Sequence, residues 1–115
     1  MTDETSVKEL TDRQLLSRRR GLAAAVTRPE TTLPGALVQQ GRRCSSVGCR
    51  CRRGELHGPY WYLALYTGGR NRSLYVPTAL EAVVAEHVAV THANDATFGE
   101  IGQINVELLR RRALG

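Results

Sequence analysis

Four side chains able to bind a soft or borderline metal ion fall within fourteen residues: Cys44, Cys49, Cys51 and His57, in the pattern Cys-x4-Cys-x-Cys-x5-His. Zn²⁺ takes four such ligands in a tetrahedron, and a site with no open position is structural rather than catalytic. Gly48, Gly54 and Gly58 lie between or beside the ligands and permit the tight backbone turns of a compact chelate. Three cysteines within eight residues point to a metal before a disulfide when the surroundings are reducing. The expectation is one structural Zn²⁺ per chain, held by Cys44, Cys49, Cys51 and His57. The same spacing is compatible with the three cysteines and a different fourth ligand (His87, His92, Glu55 or water), or with free or redox-active thiols. An iron–sulfur cluster normally takes four cysteines.

Arginines surround these ligands. Arg42, Arg43, Arg50, Arg52 and Arg53 stand in the loop and Arg70 and Arg72 follow it, against one acid, Glu55, between residues 42 and 72. They would lower thiol pKa values and offset the charge of three thiolates on a divalent ion. They also form a basic segment in a chain whose acids lie mostly in its flanks. Phosphate neutralisation by such residues is the salt-sensitive core of nucleic-acid binding, and arginine also reads guanine edges. All seven are therefore candidate nucleic-acid contacts, with DNA ahead of RNA. As ordinary surface charges they would only solubilise a zinc loop.

The elements that must position these residues read as an α+β fold: a small three-stranded antiparallel sheet with a zinc loop, backed by a helix and flanked by N- and C-terminal helices. Residues 1–10 read as a disordered N-terminus and 11–115 as a single domain. Thr11-Asp-Arg-Gln14 is a capping box that opens a helix over 12–26, with Leu15, Leu16, Leu22, Ala23 and Val26 on one stripe. Arg18 to Arg20 read as its solvated face. RPETTLPG breaks the chain, ALVQQ (36–40) reads as a strand, and the Cys-rich loop spans 42–58.

PYWYLALYTGGRNRSLYVP holds two β-rich runs around Gly68-Gly69, a two-residue hairpin turn over 59–76. The turn sets the register: Thr67 opposite Arg70, Tyr66 opposite Asn71, Leu65 opposite Arg72, Leu63 opposite Leu74, Tyr62 opposite Tyr75. Alternation puts Trp61, Leu63, Leu65, Leu74 and Val76 on a core face, and Tyr60, Tyr62, Tyr66, Tyr75, Ser73 and Asn71 on an amphipathic, partly wet face. Thr78-Ala-Leu-Glu81 reads as a second capping box before a helix over 79–91, where His87 lies in the apolar stripe as a core-edge residue. THAND reads as a break. Thr97-Phe-Gly-Glu100 reads as a third box before a helix over 98–112, closed by Arg110 to Arg112 in their favourable place at a helix C-terminus.

The chain's 115 residues suit one domain with a modest core, and such cores often carry a staple. Net charge is +5, and all basic residues but Lys8 are arginine, as GC-rich coding favours. No apolar run is long enough to span a membrane. MTDETSVKEL is polar and acidic, unlike a signal peptide, so a cytoplasmic location is expected.

The string RRC-x4-C-x-C-x2-GELHGPYWYL, preceded by LPGALV and followed by GGRNRSLYVP and INVELLR, resembles a small cysteine-rich bacterial and phage family of unknown function. The likeness covers about residues 33 to 112. The family's frequent association with mobile elements implies work on DNA. THANDATFG departs from it, being more broken than the long charged C-terminal helix the resemblance implies. The sheet-and-helix layout is also similar in topology to the arm-binding domains of tyrosine recombinases, which lay a sheet into the major groove.

These observations lead to a non-enzymatic, zinc-stapled nucleic-acid-binding protein, with a metal-binding adaptor that engages protein partners or itself through its helices as the alternative. No membrane partner is expected. Thiol chemistry at His57 or a tyrosine nucleophile would make the chain an enzyme, but the sequence supplies neither a carboxylate constellation nor a recombinase's arginine–histidine set.

Overall fold

A computed structural model describes residues 4–115, with side chains from Val7 onward. The expected disorder of residues 1–3 lies outside the described residues. The helices are α1 (Glu4–Glu9), α2 (Asp12–Ala25) and α3 (Glu81–Arg110), and the strands are β1 (Ala36–Arg42), β2 (His57–Thr67) and β3 (Arg70–Val76). The fold class is α+β, with one antiparallel sheet in the order β1-β2-β3. The stretch expected as one domain gathers into two compact units. One takes the chain up to Thr31 together with Val90–Gly115, and the other is Thr32–Ala89.

The helical unit has a core of Val7, Leu15, Ile104 and Leu108, with Leu10, Leu22 and Ala113 packed on it. Thr11 caps α2 as its sequence implies. Its hydroxyl accepts from the Gln14 amide at 3.2 Å, while the Gln14 side chain accepts from the Thr11 amide at 2.9 Å. Helix α1 replaces the disorder expected over residues 4–9. Val7 has a core to join there, and the backbone carbonyls of Lys8 and Leu10 accept from Arg111 at 3.0 and 2.7 Å. The carbonyls at a helix C-terminus lack partners of their own, so a guanidinium aimed at that end satisfies them. Arg111 also bonds Glu107 at 2.7 Å and Asp12 at 2.9 Å. These two carboxylates, Glu107 foremost, raise its pKa still further above neutrality.

The two C-terminal helices expected over 79–91 and 98–112 are one continuous helix, α3. THAND does not break it, and its asparagine is tied to a segment far along the chain. Asn94 is buried and its amide bonds both backbone groups of Thr27, accepting from N–H at 3.3 Å and donating to the carbonyl at 2.8 Å. Thr97 is no N-cap. Its hydroxyl donates back to the Ala93 carbonyl at 3.1 Å, the mid-helix habit of threonine. At the other end, a 3-10 turn over Thr78–Leu80 leads into α3, and the Leu80 amide bonds the Pro77 carbonyl at 2.9 Å in place of the expected Thr78 box.

The sheet unit follows its turn chemistry closely. Gly68 and Gly69 have φ of 59° and 76°, so both adopt the left-handed conformation that a two-residue hairpin of this hand demands. Every expected β2–β3 pair is present, from Thr67 with Arg70 to Tyr62 with Tyr75. The core is Leu63, Val76 and Val88, packed against by Leu33, Leu37, Trp61, Leu65 and Val84. Two residues differ from the expected faces. Leu74 is 53% exposed, because β3 is an edge strand and Leu74 lies outside that cluster. Tyr62, on the opposite face, is only 8% exposed. The Arg42 guanidinium covers it, 4.4 Å from the ring centroid, with Nε donating to the hydroxyl at 2.9 Å.

Candidate metal centre

The loop between β1 and β2 is short of apolar residues and rich in turns, so local hydrogen bonds must shape it. The β1–β2 register shifts between Gln40 and Arg42, an irregularity that leaves Arg42 opposite His57, the first residue of β2. Cys44 follows two residues beyond β1. The Cys49 amide bonds the Ser46 carbonyl at 3.3 Å and the Arg52 amide bonds the Cys49 carbonyl at 3.1 Å, which winds Arg50–Arg53 into a single 3-10 turn. Gly54 ends that turn with φ of 104°. Gly58 needs its lack of a side chain for two reasons: its φ is 100°, and a Cβ there would sit 2.7 Å from the Tyr60 amide nitrogen.

The result brings all four expected ligands together. The Sγ atoms of Cys44, Cys49 and Cys51 and a ring nitrogen of His57 lie within 4.8 Å of one another, a grouping that could hold a metal ion. Cys44 Sγ and Cys51 Sγ are 3.6 Å apart, and Cys49 Sγ lies 3.0 Å from His57 Nε2. Cys51 is buried, while Cys44 and Cys49 are partly so. The alternative fourth ligands take no place in the cluster. His87 and His92 lie on α3, where His87 Nδ1 donates to the Val83 carbonyl at 2.8 Å, and Glu55 points into solvent.

The thiols are not equivalent. Cys51 Sγ accepts from the Cys44 amide at 3.3 Å, and this bond holds its pKa below the ordinary thiol value against the opposing effect of burial. The neighbouring thiols and the charge of Arg52 push the same way. Cys44 moves upward instead. A backbone hydrogen bond from Ser46 is the largest single influence and works downward, but Cys49, Cys51 and burial together outweigh it. An amide aimed at a sulfur that must carry negative charge is the arrangement expected around a metal ligand.

The seven candidate arginines are all exposed, but they do not form one patch. Arg42, Arg43, Arg50, Arg52 and Arg53 gather at the His57 end of β2, and Arg70 and Arg72 stand at its Thr67 end. Eleven residues of strand separate these ends, roughly 30 Å at ~3.3 Å per residue. Adjacency in sequence hid this split, because the strand between the groups is long. Two of the seven also have structural work. Arg42 seats Tyr62, and Arg52 donates to the Cys44 carbonyl at 3.3 Å. In the helical unit, Arg19 bonds Asn105 at 2.8 Å, so the expected solvated face of α2 includes an anchoring residue.

Among the described residues, no helix is long and apolar enough to cross a membrane. Compared with known proteins, the chain matches the family model described as a domain of unknown function, DUF6788, over residues 12–86. That is more than half of the chain, and the protein belongs to this family. The matched region contains all three strands and the four clustered ligands. No curated protein and no solved structure matches it.

Proposed function

We propose that this protein is a non-enzymatic nucleic-acid-binding module whose sheet unit is stapled by one Zn²⁺, with DNA ahead of RNA as its ligand. The observation that carries the reading is the convergence of three sulfurs and one imidazole nitrogen in a segment that also holds five exposed arginines. Zn–S bonds of ~2.3 Å and Zn–N bonds of ~2.0 Å imply tetrahedron edges of about 3.8 and 3.5 Å. The two close pairs, at 3.6 and 3.0 Å, need only small adjustments to reach them. Sulfur-rich donors favour zinc over magnesium or calcium. Cys44, Cys49, Cys51 and His57 would hold the ion, and its contribution is folding energy rather than reactivity.

Three thiolates and one divalent ion leave a net negative charge, which the five neighbouring arginines exceed. The surplus faces solvent and suits phosphate. The phage or mobile-element setting implied by the sequence resemblance belongs to this reading as well. Elemental analysis of protein purified without chelators should return one zinc per chain. Mobility shifts over a salt series should show binding that weakens steeply as salt rises, and that Arg50→Ala, Arg52→Ala and Arg53→Ala together abolish. Absence of binding at low salt would leave the adaptor reading, in which the helices engage a partner and the arginines only solubilise.

A further inference from the structure

The sheet has two faces. One is covered by Val84 and Val88 of α3. The other is formed by Ala36, Val38 and Gln40 from β1, Tyr60, Tyr62, Ala64 and Tyr66 from β2, and Asn71, Ser73 and Tyr75 from β3. None of these residues is charged, so the face carries no carboxylate. Three of its tyrosines keep large ring areas in water: Tyr60 is 39% exposed, Tyr75 56% and Tyr66 71%. A soluble protein has no folding reason to array three aromatic rings outward on one sheet face, and such a patch marks an interaction site. The rings are also ordered against one another. Tyr75 meets Tyr60 and Tyr62 edge-to-face, with centroids 6.2 and 5.8 Å apart. A cation on this face is Arg42, its guanidinium over the Tyr62 ring.

We infer that this face binds single-stranded nucleic acid, its bases stacking on Tyr60, Tyr66 and Tyr75 and its phosphates meeting Arg42 and the arginines of the metal loop. The inference rests on the nucleic-acid reading above and names its ligand class. Exposed rings beside cations, with no acid among them, is the chemistry of single-strand platforms, where every base offers a π face. A duplex buries its bases in stacks and cannot use such rings, whereas it can use the arginines alone. Tyr60 and Tyr66 are six residues apart along β2, about 20 Å, so the platform spans several nucleotides. Gln40, Asn71 and Ser73 provide hydrogen-bonding groups between the rings for base edges.

The test measures fluorescence anisotropy of a labelled short oligothymidylate and of a duplex, each against the full zinc-loaded chain at several salt concentrations. The expected result is tighter binding of the single strand. Tyr66→Leu should weaken it roughly tenfold, Tyr66→Phe should leave it unchanged, and neither should alter the salt slope. Tyr60→Leu and Tyr75→Leu should act the same way. Tyr66 has the most exposed ring, so its variants remain informative even if the other two disturb the sheet. Duplex binding that equals or exceeds single-strand binding, with tyrosine variants neutral, overturns the inference and leaves the nucleic-acid reading standing. Failure of both probes to bind removes that reading and the inference together. Self-association that Tyr66→Leu abolishes, without oligonucleotide affinity, assigns the face to a second copy and equally overturns the inference.

Discussion

In the helical unit, Leu15, Ile104 and Leu108 are withdrawn from water almost completely, and Arg111 binds three backbone or side-chain partners from the α1–α2 region. In the sheet unit the apolar core is thinner, with Leu63, Val76 and Val88 as its buried members. Among its described residues, the side chain buried as fully as those leucines is a thiol, Cys51. One unit closes with hydrocarbon and the other places a ligand set where more hydrocarbon would otherwise be needed. Small cores commonly need a staple, and the ligand cluster lies in the long polar loop between β1 and β2, where the proposed ion would supply one.

The sharpest way to break this contrast is to remove one of the proposed ligands. Cys51→Ser should abolish stoichiometric zinc, and ion binding to small zinc domains is worth on the order of 10–16 kcal/mol. Amide exchange followed by mass spectrometry should show protection lost across residues 43–58 and the start of β2, while α2 and residues 101–110 keep theirs. Equal loss in both units would erase the distinction. The reciprocal experiment is Leu108→Ala. It should cost about 2–5 kcal/mol by urea denaturation and leave the zinc content unchanged.

Asn94→Ala tests a smaller effect. It strips both backbone groups of Thr27 of their partner, at about 1–3 kcal/mol, and should lower protection around residues 26–28 and 91–97 without touching the metal loop. Thr11→Ala removes one half of a capping box and should cost about 1 kcal/mol, read as a shift of the urea midpoint.

The last effect appears in metal-free protein. The Cys51 pKa is depressed, so its ionisation stabilises the fold above the ordinary thiol pKa, and that contribution is lost as pH falls through the lowered value. The Cys44 pKa is raised, so its contribution is present below the ordinary value and lost as pH rises through the raised one. NMR titration of ¹³Cβ-labelled cysteine should therefore find Cys51 ionising before Cys44, and the reverse order would show that the Cys44 amide does not reach its sulfur.

What could be read from the sequence was what short-range chemistry decides. Gly68-Gly69 fixed the hairpin register, Thr11 and Gln14 fixed the start of α2, and the ligand spacing placed four donors within reach of one another. What escaped depended on partners far along the chain. Residues 4–9 read as disordered because α1 is held by Arg111 and by Leu108 and Ile104. THAND read as a break because the group that satisfies Asn94 is Thr27, 67 residues earlier. The arginines read as one basic pole because charge was counted along the sequence, while β2 carries its two ends far apart.

Arg42 and His57 stand opposite each other on β1 and β2. One is the cation seated on the tyrosine face and the other is a member of the ligand cluster. If the cluster holds an ion and the tyrosine face holds nucleic acid, as proposed, whatever orders this pair would serve both occupants and link the two binding events thermodynamically. Each would then raise the affinity of the other by the same factor, and the ion would be an allosteric effector as well as a support.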